Sequence, residues 1–485
     1  MSKLNLTADR YPLLIEGSLP AAGTTIVTAP YDGAKIAELE TGGAEHVDKA
    51  LAIAHGLYRD RDSWLALSQR IEILEKAAHI MSEHHETLAL EAAREGGKPL
   101  IDSQVEVTRA IDGLRLCTET LRTDQGDVIP MGMSPASVNR VAFTQKEPIG
   151  VVVAVSAFNH PLNLIVHQVA AAVAVGCPVI VKPADDTPLS CIRFVEILRA
   201  AGLPPEWCQV LIPTGIPVAE KLVTDPRVGF FSFIGSAKVG WSLRSKVAPG
   251  VRCALEHGGA APLILAEDAD LDVALPAVLK GGFYHAGQVC VSVQRVFASK
   301  KTAPKFAKRL ASAAEELDIG DPTLAVTEVG PLIRHAEVER VDNWVTEAVH
   351  AGAKHLAGGK PLSASLYPCT VLLDPPEDAK VSQLEIFGPA VCIYSCDRLD
   401  GAIKRANSLP YAFQAAVFTE NLDTALRCFK RLDASAVMVN DHTAFRIDGM
   451  PFAGLRQSGL AVGGIPYTMH DMTIDKMMVI KSPEL

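Results

Sequence analysis

One cysteine stands apart by its setting: Cys290 ends the segment GQVC. The thiolate, not the thiol, is the nucleophile, and a free thiol titrates near ~8.5, so a working site must favour the ionised form. Two other residue types could serve such a nucleophile. Asn159, in SAFNHP, carries an amide that could donate to a developing oxyanion, although an Asn close before Pro161 is equally a turn residue. Glu256, in LEHGG, could act as a general base, because the paired glycines allow close approach of the backbone to a ligand; a lone strand-end Glu is otherwise simply solvated. The other cysteines read as buried structural thiols.

These residues need elements to position them. Residues 64–94 show apolar positions Leu67, Ile71, Leu74, Ala78 and Met81 at helical spacing, and GGKP at 96–99 ends that helix. A second helix is expected around 100–122. PIGVVVAVSAF reads as a buried parallel strand, 161–175 as a helix and CPVIVKP as another strand. Residues 188–201 read as helix, QVLIP as strand, Val218–Thr224 as helix, and VGFFSFIGS as a strand running into a glycine turn. This alternation predicts a doubly wound parallel sheet. It restarts over 265–435 as a second α/β unit, with VALPAVLKGGFY and Ala303–Leu317 helical and RVFAS extended. Segments 127–146 and 473–482 fall outside the rhythm and read as extended strands.

Several segments together resemble the aldehyde dehydrogenase superfamily over nearly the whole chain. They are SAFNHP (156–161), VKPADDTP (181–188), FIGSAKVG (233–240), LEHGG (255–259) with GQVC (287–290), EIFGP (385–389) and MPFAGLRQSG (450–459). The resemblance implies an α/β fold with two doubly wound domains: a dinucleotide domain from 1–126 and 149–257, and a catalytic domain from 258–470. Strands in 127–148 and 471–485 would form a small oligomerisation unit, giving a homodimer or homotetramer. It implies that Cys290 adds to an aldehyde as nucleophile, because an sp² carbon does not readily release hydride and a thiohemiacetal does. Asn159 and the Cys290 backbone N–H would hold the oxyanion, and Glu256 would activate the water that releases the acid. Glu256 also favours hydrolysis over acyl transfer to coenzyme A. That transfer, and a non-catalytic binding protein on the same fold, are the alternatives; acid formation without coenzyme A excludes the first and NADH formation the second.

By the same resemblance the cofactor is NAD, with NADP possible. Lys182 and Asp185 would meet the adenosine ribose, with Ser156, Phe158, Pro183, Gly215 and Phe233 nearby. Gly235 and Ser236 open a helix whose N–H groups suit a pyrophosphate, beside Val239. Gly258 would allow close approach, Glu385 would bind the nicotinamide ribose and Phe387 would position the ring. An acid at 185 accepts from ribose hydroxyls and repels a 2′-phosphate, which favours NAD.

The expected substrate wall is polar and basic: Arg109, His160, Asn163, His167 and Arg446, with Val289, Val291 and Phe452 apolar. Guanidinium groups suit a carboxylate, phosphonate or sulfonate. The expected substrate is therefore a small anionic aldehyde such as phosphonoacetaldehyde, a sulfonated aldehyde or succinic semialdehyde. His-Pro with Arg109 resembles phosphonoacetaldehyde dehydrogenases, and DHTAFR resembles lactaldehyde and glycolaldehyde dehydrogenases. In the competing reading, Arg109 and Arg446 pair with acids such as Glu106 and Asp448 and never meet substrate. Arg295 is read as structural.

Composition sets the bounds. The 485 residues are 48% hydrophobic, enough for large cores, and carry a net charge of −10. An acidic surface disfavours nucleic acid. The ten cysteines include no CxxC pair, which argues against zinc sites and a disulfide framework, and no metal is expected. The start MSKLNLTADRYP does not read as a leader, and no apolar stretch spans a bilayer comfortably. A reducing, cytoplasmic setting is expected.

Overall fold

The computed structural model describes residues 9–17, 19–124 and 126–485. The reading of the amino-terminal start rests largely on residues 1–8, which lie outside the described residues.

The first large sheet has the strand order Gly459–Leu460, Arg252–Glu256, Val228–Ile234, Val151–Val155, Val179–Lys182 and Cys208–Val210. All its pairings are parallel except that of Gly459–Leu460 with Arg252–Glu256. The β-branched run Val151–Val155 is buried on both faces up to Val155, as an interior parallel strand requires. The second sheet orders Lys354–Ala357, Thr370–Leu373, Ala390–Cys396, Val293–Ser299, Ala261–Leu265, Gln414–Phe418 and Ala436–Val439. The fold class is α/β, as expected. One boundary is crossed: Gly459–Leu460, inside the stretch assigned to the second unit, is the edge strand of the first sheet. It joins the two units beside Glu256.

Strands Arg140–Pro148 and Thr473–Lys481 pair antiparallel over nine positions, with Val128–Ile129 on the far side. A three-stranded sheet of residues 10–11, 35–41 and 23–28 was not expected. Its strand Gly23–Thr28 is exposed at all but Val27, so no apolar alternation announced it.

Two helical expectations are refined. The helix expected over 64–94 is two, Leu67–Glu83 and His85–Gly96, broken at His84. The helix expected over 161–175 carries a π turn at Val166–Ala170, between α segments Asn163–Ile165 and Ala171–Val175. Such a turn adds a residue per turn and is frequent beside functional sites. Among the described residues no helix is long and apolar enough to cross a membrane.

Candidate active site

The carboxyl ends of the first sheet's parallel strands converge on one cavity of about 450 Å³. Ligands of open parallel sheets bind at such ends. Asn159 follows Val151–Val155, Lys182 ends Val179–Lys182, and Glu256 ends Arg252–Glu256. Gly235 and Ser236 follow Val228–Ile234, and Ser236 directly precedes the helix Ala237–Arg244. From the second unit come Cys290, Glu385 and Phe387.

The cavity wall carries most residues singled out by sequence. At the cofactor end are Ser156, Phe158, Lys182, Asp185, Phe233, Gly235, Ser236, Val239, Gly258, Glu385 and Phe387. Around Cys290 lie Asn159, His160, Glu256, Val289, Val291, Arg446 and Phe452, with Arg109 and Asn163 behind. Pro183, Gly215 and His167 do not reach the wall. Pro183 instead offers its carbonyl to Lys182 Nζ at 2.8 Å.

Cys290 sits just after a tight turn in which His285, Ala286 and Gly287 all have positive φ, at 49°, 53° and 69°. A Cβ at Gly287 would lie 2.1 Å from the Gly388 carbonyl oxygen, so only glycine fits there. Burial pushes the Cys290 thiol up to about 12, Arg446 opposes this, and Glu385 and Glu256 add to it. The resting thiol is therefore protonated, and Arg446 is the nearby charge that favours the thiolate. Asn159 Nδ2 donates to the Gln288 carbonyl at 2.8 Å, which fixes the amide beside Cys290. Burial also raises the Glu256 carboxyl, making its ionised form the better base.

The basic wall differs from expectation. Asp448 Oδ1 accepts from Arg109 Nη2 at 2.7 Å, from Asn163 Nδ2 at 3.0 Å and from His167 Nε2 at 2.7 Å. Its Oδ2 accepts from Arg109 Nε at 3.0 Å. Burial works against the Asp448 carboxylate, but the His167 and Arg109 partners outweigh it and hold the group ionised. Arg109, Asn163 and His167 thus each commit a donor to one buried acid, while Asn163 Oδ1 has no hydrogen-bond partner among the described residues. The pairing reading holds for Arg109 with Asp448. It fails for Arg446, whose Nε and Nη2 are buried without a hydrogen-bond partner among the described residues. The Arg446 guanidinium lies over the Phe452 ring, 3.6 Å from its centroid, which holds the cation without neutralising it. Arg295 is structural, donating to the carbonyls of Ala260, Arg405 and Ala406.

At the cofactor end, Lys182 Nζ holds Asp185 Oδ1 at 2.6 Å at the cavity mouth. Glu385 accepts from the Gly259 N–H at 3.1 Å, and burial pushes its carboxyl up to about 8. Phe387 takes a positive φ of 47° and packs edge-on to Phe158 at 5.9 Å. A dinucleotide fits this surface: one continuous wall runs from Lys182 and Asp185 past the helix start at Ser236 to Cys290.

Sequence reading missed Tyr284, Gln288 and Arg334 on the wall. Gln288 carries the clearest signal in hindsight, since it lies inside GQVC and its side chain ties that turn to Pro331 and Ile333. Arg334, held by Asp186 at 2.8 and 2.6 Å, had no motif to reveal it.

Residues 19–478 match the Aldehyde dehydrogenase family. The chain is 36% identical over 473 residues to a 3-sulfolactaldehyde dehydrogenase of Priestia aryabhattai, covering 97% of this chain and 98% of the relative. It is 34% identical over 458 residues to a lactaldehyde dehydrogenase of Methanocaldococcus jannaschii, covering 94% and 96%. Its structure is similar to that of aldehyde dehydrogenase 21 from Physcomitrella patens in complex with the reaction product succinate, with a TM-score of 0.93 and 32% identity over 98% of this chain and 99% of that one. The chain belongs to the aldehyde dehydrogenase family. It is an NAD(P)-dependent aldehyde oxidoreductase.

Proposed function

We propose that the protein oxidises a small aldehyde bearing an oxyanion, of the phosphonoacetaldehyde or sulfonated type, to its acid with NAD. The observation that carries this reading is Arg446, a cation on the wall that holds Cys290 with two buried nitrogens that have no partner among the described residues. An oxyanion there would accept both N–H groups, and leaving them bare costs the desolvation of each. The relatives lend support from two sides: one is named for a sulfonated aldehyde, and the similar structure holds succinate. The lactaldehyde relative keeps a neutral hydroxylated aldehyde as the second reading.

Cys290 would attack the carbonyl carbon while Asn159 and the Cys290 backbone N–H take the oxyanion. Glu256, made more basic by burial, would take a proton from the thiol or from the hydrolytic water. Hydride acceptance is the chemistry a bound nicotinamide supplies. Lys182, Asp185, Ser236 and Glu385 would hold the dinucleotide, with Asp185 favouring NAD over NADP by repelling a 2′-phosphate.

The functional division proposed is a dinucleotide unit of 1–126 and 149–257, a catalytic unit of 258–470, and an assembly unit of 127–148 and 471–485. Exposed Met477, Met478, Val479 and Ile480 on the last strand support subunit pairing into a dimer or tetramer, which light scattering would count. Ten free thiols support a reducing, cytoplasmic setting.

The test is NADH formation across anionic and neutral aldehydes at fixed NAD. The reading expects an anionic aldehyde to lead by about tenfold in kcat/KM, and Arg446→Met to remove that lead by raising KM. A lead for lactaldehyde or apolar aldehydes, unchanged in Arg446→Met, would defeat it.

A further inference from the structure

Behind His160 lies a charged pair that the reaction itself does not use. Lys98, from the GGKP turn, has a fully buried side chain, and Glu106 is 1% exposed. Lys98 Nζ lies 2.5 Å from Glu106 Oε2 and 2.7 Å from His160 Nδ1. Glu106 Oε1 accepts from the backbone N–H groups of Leu162 and Asn163, both at 2.9 Å. Among the described residues Glu106 therefore faces donors, the pattern of a carboxylate. Burial lowers the Lys98 pKa, but the Glu106 charge in direct contact opposes this, and the contact is that of an ammonium with its carboxylate.

An ammonium has donors and no acceptor, so His160 Nδ1 must present its lone pair to Lys98. The proton of a neutral imidazole then sits on Nε2. Protonation of both nitrogens is opposed from every side. Burial, Lys98, Arg109, His285 and Arg446 all hold the His160 pKa well below its ordinary value, and the aromatic Tyr284 ring completes the surround. His160 is itself only partly buried and lines the cavity beside Asn159.

We infer that Lys98 is a positioning residue that fixes His160 as its Nε2–H tautomer, so that His160 donates a hydrogen bond to an oxygen of the aldehyde's polar end. Hydroxyl, carboxylate, sulfonate and phosphonate oxygens all accept such a bond. The inference rests on His160 facing substrate, but not on the substrate being anionic. Without Lys98 the imidazole is free to turn its lone pair toward the substrate oxygen and repel it.

The experiment is a double-mutant cycle read as the ratio of kcat/KM for lactaldehyde to that for propanal. Neither aldehyde is anionic, so failure of the anion reading leaves this test intact. Lys98→Met with Glu106→Gln replaces the pair by neutral groups of similar shape and keeps an acceptor for Leu162 and Asn163. In the His160 background this change lowers the ratio about tenfold, through the KM for lactaldehyde. His160→Leu has no N–H to donate and nothing for Lys98 to orient. His160→Leu therefore lowers the ratio by itself, and adding the paired change to it has no further effect on the ratio. A general weakening of the fold lowers both aldehydes and cancels. An unchanged ratio in the His160 background, an equal fall in both backgrounds, or an unchanged ratio in His160→Leu alone would each overturn the inference.

Discussion

Asp448 grips Arg109 through both carboxylate oxygens, at 3.0 and 2.7 Å, and pairs off on the cavity wall a charge that its position in the chain offered to substrate. The same oxygen that meets Arg109 Nη2 also takes Asn163 and His167. One buried acid thereby orders three side chains from two helices, and beside Cys290 it leaves Arg446, whose Nε and Nη2 have no hydrogen-bond partner among the described residues.

Replacing Asp448 by Ala leaves Arg109 and two buried donors uncompensated. Breaking a buried pair from one side costs about 3–5 kcal/mol, so the thermal midpoint falls by several degrees. Calorimetry reads this. Asp448→Asn keeps much of the shape but frees the Arg109 charge, and the kcat/KM of an anionic aldehyde relative to a neutral one rises. A variant as stable as the parent, or an unchanged ratio, goes against the role given to Asp448.

The Cys290 thiol is pushed up to about 12 by burial, against Arg446. Only the thiolate alkylates, so in the cofactor-free protein the labelling rate of the Cys290 peptide by iodoacetamide rises about tenfold per pH unit from pH 7 to 10. Arg446→Met removes the opposing charge and slows labelling at every pH in that range. Labelling that levels off near pH 8 would contradict the environment described.

Burial raises the Glu385 carboxyl to about 8 in the free protein. Ribose hydroxyls donate to a carboxylate, so NAD binds the ionised form. The ionised fraction grows with pH, so affinity rises as pH passes through about 8 and levels off above it. In Glu385→Gln that dependence is absent. Fluorescence titration at a series of pH values decides between these outcomes.

The turn at Gly287 gives a stability test. An added methyl would overlap the Gly388 carbonyl, and φ of 69° disfavours any side chain. Gly287→Ala therefore costs more than about 1 kcal/mol and displaces Cys290, so kcat falls together with the thermal midpoint. A fully active, equally stable variant would show that the turn has room.

Much of this site was legible because its signals are local. GQVC, LEHGG and SAFNHP each place a candidate reactive side chain at a strand end or a loop and stand out through their joint family resemblance, and strand-end position follows from apolar runs such as Val151–Val155. What sequence could not settle is non-local. Arg109 and Asp448 lie 339 positions apart, so whether that guanidinium faces substrate or an acid depended on tertiary packing. Lys98 read only as part of a helix stop, because its two partners come from a helix and a loop elsewhere. His167 sits at helical spacing from Asn163, yet the π turn over Val166–Ala170 accompanies a side chain directed at Asp448 rather than into the cavity.

In the proposed reaction Cys290 carries the acyl group and Glu256 directs water at it. Glu256→Gln, mixed with NAD and aldehyde and quenched in acid, should hold a thioester. Peptide mass mapping then finds the substrate's acyl mass on the Cys290 peptide, with the parent enzyme showing far less. An acyl group on another residue, or NADH turnover persisting in Cys290→Ala, would contradict the account.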